Sequence, residues 1–281
     1  MTQVRVGALL VTRNSGSHID QTLVSIREQT LQPDVVLVVD DNSRDDTVAR
    51  IEQWARSFEQ SGGRFLFQHS TATSTRGLSR IAANFAQGVR ALGSVDFVAL
   101  ADHDDLWLED RLQRQVALMT EIPHCSMLAS NSWIDDTAET LFDAFDIPDD
   151  LGAASAADVL RFVIRRSVAT GGASMIRPHR LIDSDSLVPP AGWLHDRWWS
   201  LVAAAQGSLC VSSEPVIRYR LSQAQAVGLD RGRQTSRGTR RLVRVSWGDL
   251  ERLRSLHGLR KSAAPDLRGE LQWGRLLRNV V

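Results

Sequence analysis

The chain has 281 residues, with 33 Lys+Arg balanced by 33 Asp+Glu, and this neutrality argues against a uniformly basic nucleic-acid binder. A hydrophobic fraction of 43% beside 23% charged residues supplies a sizeable core and excludes disorder of the whole chain. Cys125 and Cys210 each sit in an apolar run and read as small buried hydrophobes in a reducing compartment. No apolar run reaches the ~18 residues that span a bilayer, and residues 4–11 lack the pattern of a signal peptide. The expectation is a soluble cytoplasmic protein, at most peripheral on the inner face of the cell membrane.

In chain order, residues 4–12 form a β-branched, apolar run that stops at Arg13-Asn14-Ser15-Gly16, a strand followed by a loop. Ile19, Leu23 and Ile26 recur at helical spacing behind a Ser17/Asp20 capping box, which predicts a helix over 18–29. Residues 35–39 are continuously apolar, as in a parallel strand covered on both faces, and end at Asp40-Asp41-Asn42-Ser43. Asp45 and Asp46, favoured there by the helix dipole, open a helix with the face Val48, Ile51, Ala55 and Phe58. A short strand over 64–67, a helix marked by Leu78, Ile81, Phe85, Val89 and Leu92, and a buried strand over 96–101 follow. This βαβαβαβ order predicts an α/β fold, a mostly parallel sheet flanked by helices, with ligands outside the carboxyl ends of the strands.

Beyond it come a helix over 110–120, a strand over 126–133 and an acidic stretch over 135–150 of loops or an edge hairpin. A helix over 159–164, a bent strand over 169–176, an amphipathic helix over 193–205 and a strand over 208–218 complete the pattern. The texture turns arginine-rich after Leu229, which divides the chain into a domain of residues 1–229 and a basic, helical extension of residues 230–281.

Two aspartate clusters fall at the predicted binding edge: Asp40 and Asp41 after the second strand, and Asp102, Asp104 and Asp105 after the fourth. The second cluster has two readings. Carboxylates two apart at a strand end can turn toward one Mg²⁺ or Mn²⁺, which commonly holds one or two protein carboxylates plus substrate phosphates. The same residues also make a solvated acidic turn before the next helix. A phosphate-binding Gly-x-x-x-x-Gly-Lys loop, a Gly-x-Gly-x-x-Gly turn, His-Glu-x-x-His, paired cysteines and a Gly-x-Ser-x-Gly elbow are all absent, which excludes the chemistries that depend on them.

Thr12-Arg13-Asn14, Asp40-Asp41-Asn42-Ser43-Arg44-Asp45-Asp46-Thr47 and Leu100-Ala101-Asp102-His103-Asp104-Asp105-Leu106-Trp107 together resemble the family 2 glycosyltransferases of GT-A fold. Within that family the chain is most similar to the bacterial rhamnosyltransferase-like branch. Gly77 with Asn84-Phe85, the small-residue segment Thr170-Gly171-Gly172-Ala173-Ser174-Met175, and His195-Asp196-Arg197-Trp198 match that branch in order, and the resemblance runs over residues 4–228.

The resemblance implies an inverting transferase that moves a hexosyl or deoxyhexosyl unit, from dTDP-rhamnose ahead of UDP-hexoses, to a saccharide or lipid-linked acceptor in cell-surface polysaccharide synthesis. It implies that Thr12 and Asn14 line the nucleotide pocket and that Asp41 or Asp40 contacts the base. Asp102 and Asp104 would serve the ribose and a diphosphate bound to Mg²⁺ or Mn²⁺, and Asp196 would be the general base. Asn84, Asp105, Gly171, Gly172, Trp193 and His195 are further substrate contacts on this reading. Blander roles stand beside these: Asp40 as a turn cap, His195 as a structural hydrogen-bonder, Trp198 and Trp199 as core, and Trp193 divided evenly between sugar platform and packing.

One departure bears on the metal. Ser222 stands where the family has a histidine, so His103, His195 or water completes the shell, or the site is weakened. The alternative function is therefore a non-catalytic sugar-nucleotide or glycan-binding module on the same fold. A sugar-phosphate nucleotidyltransferase fits less well, because Arg13-Asn14-Ser15-Gly16-Ser17 is a poor match to its Gly-rich basic loop. The zero net charge is itself a cancellation, since residues 231–281 carry 13 basic against 4 acidic residues and the rest carry 20 against 29. The basic tail, with Leu242, Val245, Leu250, Leu253 and Leu256 among its apolar positions, suits a hairpin packed on its own domain, a homodimer contact, or an anionic membrane.

Overall fold

The computed structural model describes residues 4–135, 137–181, 187–221 and 247–280. Strand β1 (Val6–Thr12), helix α1 (Ile19–Arg27), β2 (Val35–Asp40), α2 (Thr47–Gln60), β3 (Arg64–His69), α3 (Gly77–Leu92) and β4 (Phe97–Asp102) alternate as the periodicity predicts. Every residue of β1 and β2 is buried, because each strand feeds two cores at its period of two. Ala8 and Leu10 pack with Ile19, Leu23, Ile51 and Phe58 on one face of the sheet. Leu9 and Val11 pack with Phe85 and Val89 on the other.

Strands β3, β2, β1 and β4 run parallel, with Thr12 opposite Asp40 and Val11 opposite Asp102. That register lays the carboxyl ends of three strands side by side. The remaining elements are β5 (Leu106–Trp107), α4 (Arg111–Glu121), β6 (Met127–Ile134), α5 (Leu141–Ala144), α6 (Ala156–Arg165), β7 (Ser174–Ile176), α7 (Pro178–Leu181), α8 (His195–Ala205) and β8 (Leu209–Tyr219). They extend the sheet to eight strands in the order β3-β2-β1-β4-β7-β6-β8-β5. The short β7 is antiparallel to both β4 and β6, β6 and β8 are parallel, and β5 closes the edge antiparallel to β8. The sheet is thus mostly parallel and flanked by helices.

Several local expectations are revised. The Ser17/Asp20 capping box does not form; α1 starts one residue past His18, whose side chain makes no cap, and the amides of His18 and Ile19 donate instead to the Ser15 carbonyl. Only the last three residues of the segment 169–176 are extended, behind a 3-10 turn over Gly171–Ala173. Helix α8 starts at His195, and almost every one of its residues is buried, because it is covered by the sheet on one side and by α6 and the C-terminal helices on the other. In the acidic stretch the hairpin is reduced to one bridge, Trp133 to Thr140, followed by α5 with a Thr140/Asp143 capping box.

The last described segment is helical, with α9 (Trp247–Gly258) and α10 (Trp273–Val280). Leu253, Leu256, Leu267, Leu271 and Leu276 belong to the same core as Leu160 and Leu201. Glu270, 5% exposed, accepts from Arg161 Nε at 3.1 Å and Nη2 at 3.0 Å. Leu253 and Leu256 therefore face the interior and are not available to a membrane, which corrects one reading of the tail. Leu242, Val245 and the boundary near residue 230 lie outside the described residues. Among the described residues no helix is long and apolar enough to cross a membrane.

Candidate active site

The loops leaving β1 and β2 are stitched together by their own polar groups. Asn14 and Asn42 have φ of 49° and 57°, left-handed conformations that asparagine tolerates. The Asn14 amide N–H donates to Ser43 Oγ at 2.8 Å, and its Oδ1 accepts from the Arg44 N–H at 2.8 Å. Thr12 is 1% exposed, its hydroxyl sharing a hydrogen bond with Ser15. Asp40, also 1% exposed, accepts from the Ser43 N–H at 3.0 Å and from its hydroxyl. It is the turn cap, not a group open to a base.

Asp41 is different. Its Oδ2 accepts from Arg80 Nε at 3.0 Å and Nη2 at 2.7 Å, with Arg13 at 4.0 Å. Burial raises its pKa, opposed by the charge of Arg13. Asn84, expected to touch substrate, is fully buried and accepts the Ser70 hydroxyl, so it braces this corner from behind.

The second cluster converges on the Gly171–Gly172 turn. The Gly172 N–H donates to Asp102 Oδ2 at 2.9 Å, and the preceding Gly171 N–H donates to Asp196 Oδ2 at 3.1 Å. A Cβ on Gly172 would lie 2.0 Å from Asp105 Oδ2, and one on Gly171 would lie 2.8 Å from His195 Nε2 and 3.2 Å from Asp102 Oδ2. Glycine at both positions is what lets β4, α8 and the acid loop meet. Asp102 keeps partial solvent access while lying deep in the fold. Its pKa rises to about 7, first through burial, then through the charges of Asp104 and Asp196. Asp105, fully buried, is pushed well above the usual carboxylate range by burial and by Asp102 and Asp104.

Asp196, in the first turn of α8, is raised to about 6. Burial dominates, and hydrogen bonds from the Arg197 and Gly171 amides oppose it. Its ring neighbour His195 stacks on Phe85 at 3.6 Å between centroids. Burial lowers the His195 pKa to about 3, so the imidazole is neutral. Neither ring nitrogen has a hydrogen-bond partner among the described residues. His103 is also lowered by burial and is turned to the carbonyl of Val11. Trp193 is 7% exposed, packs 5.7 Å from Trp198 and has the Arg252 guanidinium above it. It packs and does not form a sugar platform.

Three arginines of this region were not anticipated as partners. Arg80 clamps Asp41, and Arg197 ties α8 to the carbonyls ending α6. Arg111 lies fully buried beneath the acids, over the Trp107 ring at 3.8 Å, donating to the carbonyls of Leu100 and Ser174. Burial lowers its pKa to about 9, opposed by Asp105 and Asp102. Arg111 and Gln115 stand four apart on the face of α4 that also carries Leu112 and Met119, and Arg111 Nε donates to Gln115 Oε1 at 3.1 Å.

The layered sheet sets carboxylates at the carboxyl ends of its parallel strands, where open α/β folds bind their ligands. Residues 8–141 match the model of glycosyl transferase family 2, and the fold is that of the GT-A glycosyltransferases. Among solved structures, it superposes with TM-score 0.65 on S. aureus TarS 1–349 in complex with UDP-GlcNAc, at 16% identity over 98% of this chain and 72% of that one. The mannosyltransferase PcManGT from Pyrobaculum calidifontis in complex with GDP-Man and Mn²⁺ gives a TM-score of 0.58 at 19% identity, covering 98% and 70%. Identities this low speak for the fold alone. A search of curated protein sequences returned no match.

Proposed function

We propose that the protein is an inverting glycosyltransferase that takes a sugar from a nucleotide-diphosphate donor. The observation that carries this reading is the pair of successive amides, Gly171 and Gly172, holding Asp196 on one side and the Asp102 group on the other. Asp196, with its pKa raised to about 6, is a better base than an ordinary aspartate yet is ionised at neutral pH. It takes the proton of an acceptor hydroxyl as that oxygen bonds to the anomeric carbon. The bond from that carbon to the diphosphate oxygen breaks, and its electron pair leaves with the nucleoside diphosphate, so the configuration inverts.

The donor set fits a divalent cation. Asp102 and Asp104 bring hard oxygen ligands, and the mutual repulsion that raises Asp102 is what a cation would relieve. Mg²⁺ and Mn²⁺ are commonly held by one or two carboxylates together with substrate phosphates, and Asp102 and Asp104 are the carboxylates that would do so here. Bound there, the cation supplies charge neutralisation for the departing diphosphate. Ser222, at the position of the missing histidine, lies outside the described residues.

The neighbours crystallised with UDP-GlcNAc and GDP-Man support a nucleotide-sugar donor, and the rhamnosyltransferase-like motifs favour dTDP-rhamnose over UDP-hexoses. Transfer to a saccharide or lipid-linked acceptor in cell-surface polysaccharide synthesis rests on the same resemblance.

The test is donor turnover with Mn²⁺ for wild type and Asp196→Asn. Wild type should release nucleoside diphosphate with a rate that rises with pH through about 6 and then levels. Asp196→Asn should lose about 10²-fold or more while calorimetry shows donor binding retained. Full turnover by Asp196→Asn would overturn the role of Asp196, and donor binding without turnover in wild type would favour the binding-module alternative.

A further inference from the structure

We propose that the cavity between α5 and residues 166–170 seats an uncharged, apolar group of the acceptor, the aglycone of a glycoside. This rests on the glycosyltransferase reading and names the class of acceptor for it. The cavity holds about 410 Å³, within the range of small-molecule sites. Its walls are apolar: Phe142, Phe145, Ile147, Val168 and Ala169.

Its position ties it to the chemistry. Thr170 lines the cavity and is one peptide bond from Gly171, whose N–H holds Asp196 Oδ2 at 3.1 Å. Thr170 is thus shared by the cavity wall and the turn that carries Asp196, and on this proposal the sugar of an acceptor whose aglycone fills the cavity lies on the Asp196 side of that turn.

The wall is built, not incidental. The Thr140/Asp143 capping box fixes the start of α5, and the chain then turns through Asp146 at φ 51°. The Ile147 N–H closes that turn on the Phe142 carbonyl at 2.9 Å. The turn sends Ile147 inward at 7% exposure and leaves Phe145 at the mouth, 45% exposed. A phenyl ring facing solvent beside an apolar cavity gains burial when an apolar ligand enters.

Charge selects the class of group. The rim charges, Arg166 and Asp146, lie 3.7 Å apart, and Arg166 Nη1 also donates to the Phe145 carbonyl at 3.0 Å. The rim is neutralised by its own pair, which favours an uncharged occupant over a phosphate.

The experiment compares n-octyl β-D-glucoside, kept below its micelle-forming concentration, with methyl β-D-glucoside by isothermal titration calorimetry on the full chain. The octyl glycoside should bind at least tenfold more tightly. That preference should fall below threefold in Phe145→Ala and in Ser167→Trp, a bulky side chain at an exposed position lining the cavity. Equal affinities in wild type, or a preference unchanged in both variants, overturns the proposal. Thermal stabilisation of wild type by dTDP-rhamnose or UDP-glucose with Mn²⁺ is measured alongside. A donor that stabilises while the octyl preference is missing sinks the cavity assignment alone. An octyl preference with no nucleotide-sugar stabilisation or turnover overturns the acceptor assignment through the reading beneath it.

Discussion

A Cβ on Gly172 would stand 2.0 Å from a carboxylate oxygen of Asp105, and neither partner has room to retreat, since Asp105 is fully buried and its Oδ1 accepts from the Arg220 N–H. Gly172→Ala is therefore expected to cost about 1–3 kcal/mol through overpacking and to weaken donor binding, because the same residue's N–H orients Asp102. A variant with wild-type melting and donor affinity would contradict both. At this scale the sequence was legible where a residue type carries its own chemistry: Asp104 and Asp196 both lie near enough to Asp102 for their charges to raise its pKa. It was misleading where a neighbour decides the role. The Asp40–Ser43 cap is local, within one turn, and was already one of the two readings of Asp40, whereas the Asp41–Arg80 pair joins residues 39 apart and depends on how α3 packs on β1 and β2.

Among the elements, the parallel half was readable because each strand there is a short apolar run with its own turn signal. The half built from β5 to β8 was less so. Strand β7 has three residues and owes its extension to β4 and β6, whereas α8, read as an amphipathic helix over 193–205, proves buried at almost every position. The C-terminal helices illustrate the same limit: a leucine pattern shows that a helix has an apolar face, not what covers it. Here the cover is α6 and α8. Leu253→Ala should destabilise the protein by about 2–5 kcal/mol, read from the urea midpoint, whereas Leu250→Ala, at a half-buried position, should cost much less. Equal and negligible effects at both would return the tail to a surface role.

For the molecule as a whole, two sets of buried groups make opposing demands on pH. Asp102 and Asp196, raised to about 7 and about 6, hold protons in the folded state that the unfolded chain gives up near pH 4. They lower stability progressively as pH rises from about 4 to 7. His195, lowered to about 3, acts in the other sense: the unfolded chain protonates below about 6.5 and the folded one does not, so stability falls in acid. The two trends oppose each other between about pH 4 and 6, and from about 6.5 to 7 only the loss from Asp102 continues. A cation at the carboxylates removes only the first demand. Mn²⁺ is accordingly expected to raise the melting temperature more at pH 8 than at pH 5, and an equal or larger shift at pH 5 would count against Asp102 and Asp104 as its ligands.

The turn at Gly171–Gly172 has one more consequence. Successive Cα atoms are about 3.8 Å apart, and this single step separates the amide that grips Asp196 from the amide that grips Asp102. The two carboxylates are therefore anchored on successive peptide units, and a ligand that shifts one of them bears on the anchor of the other. Such coupling is reciprocal: if donor and acceptor bind as proposed, each alters the other's affinity by the same factor, whichever of them arrives first.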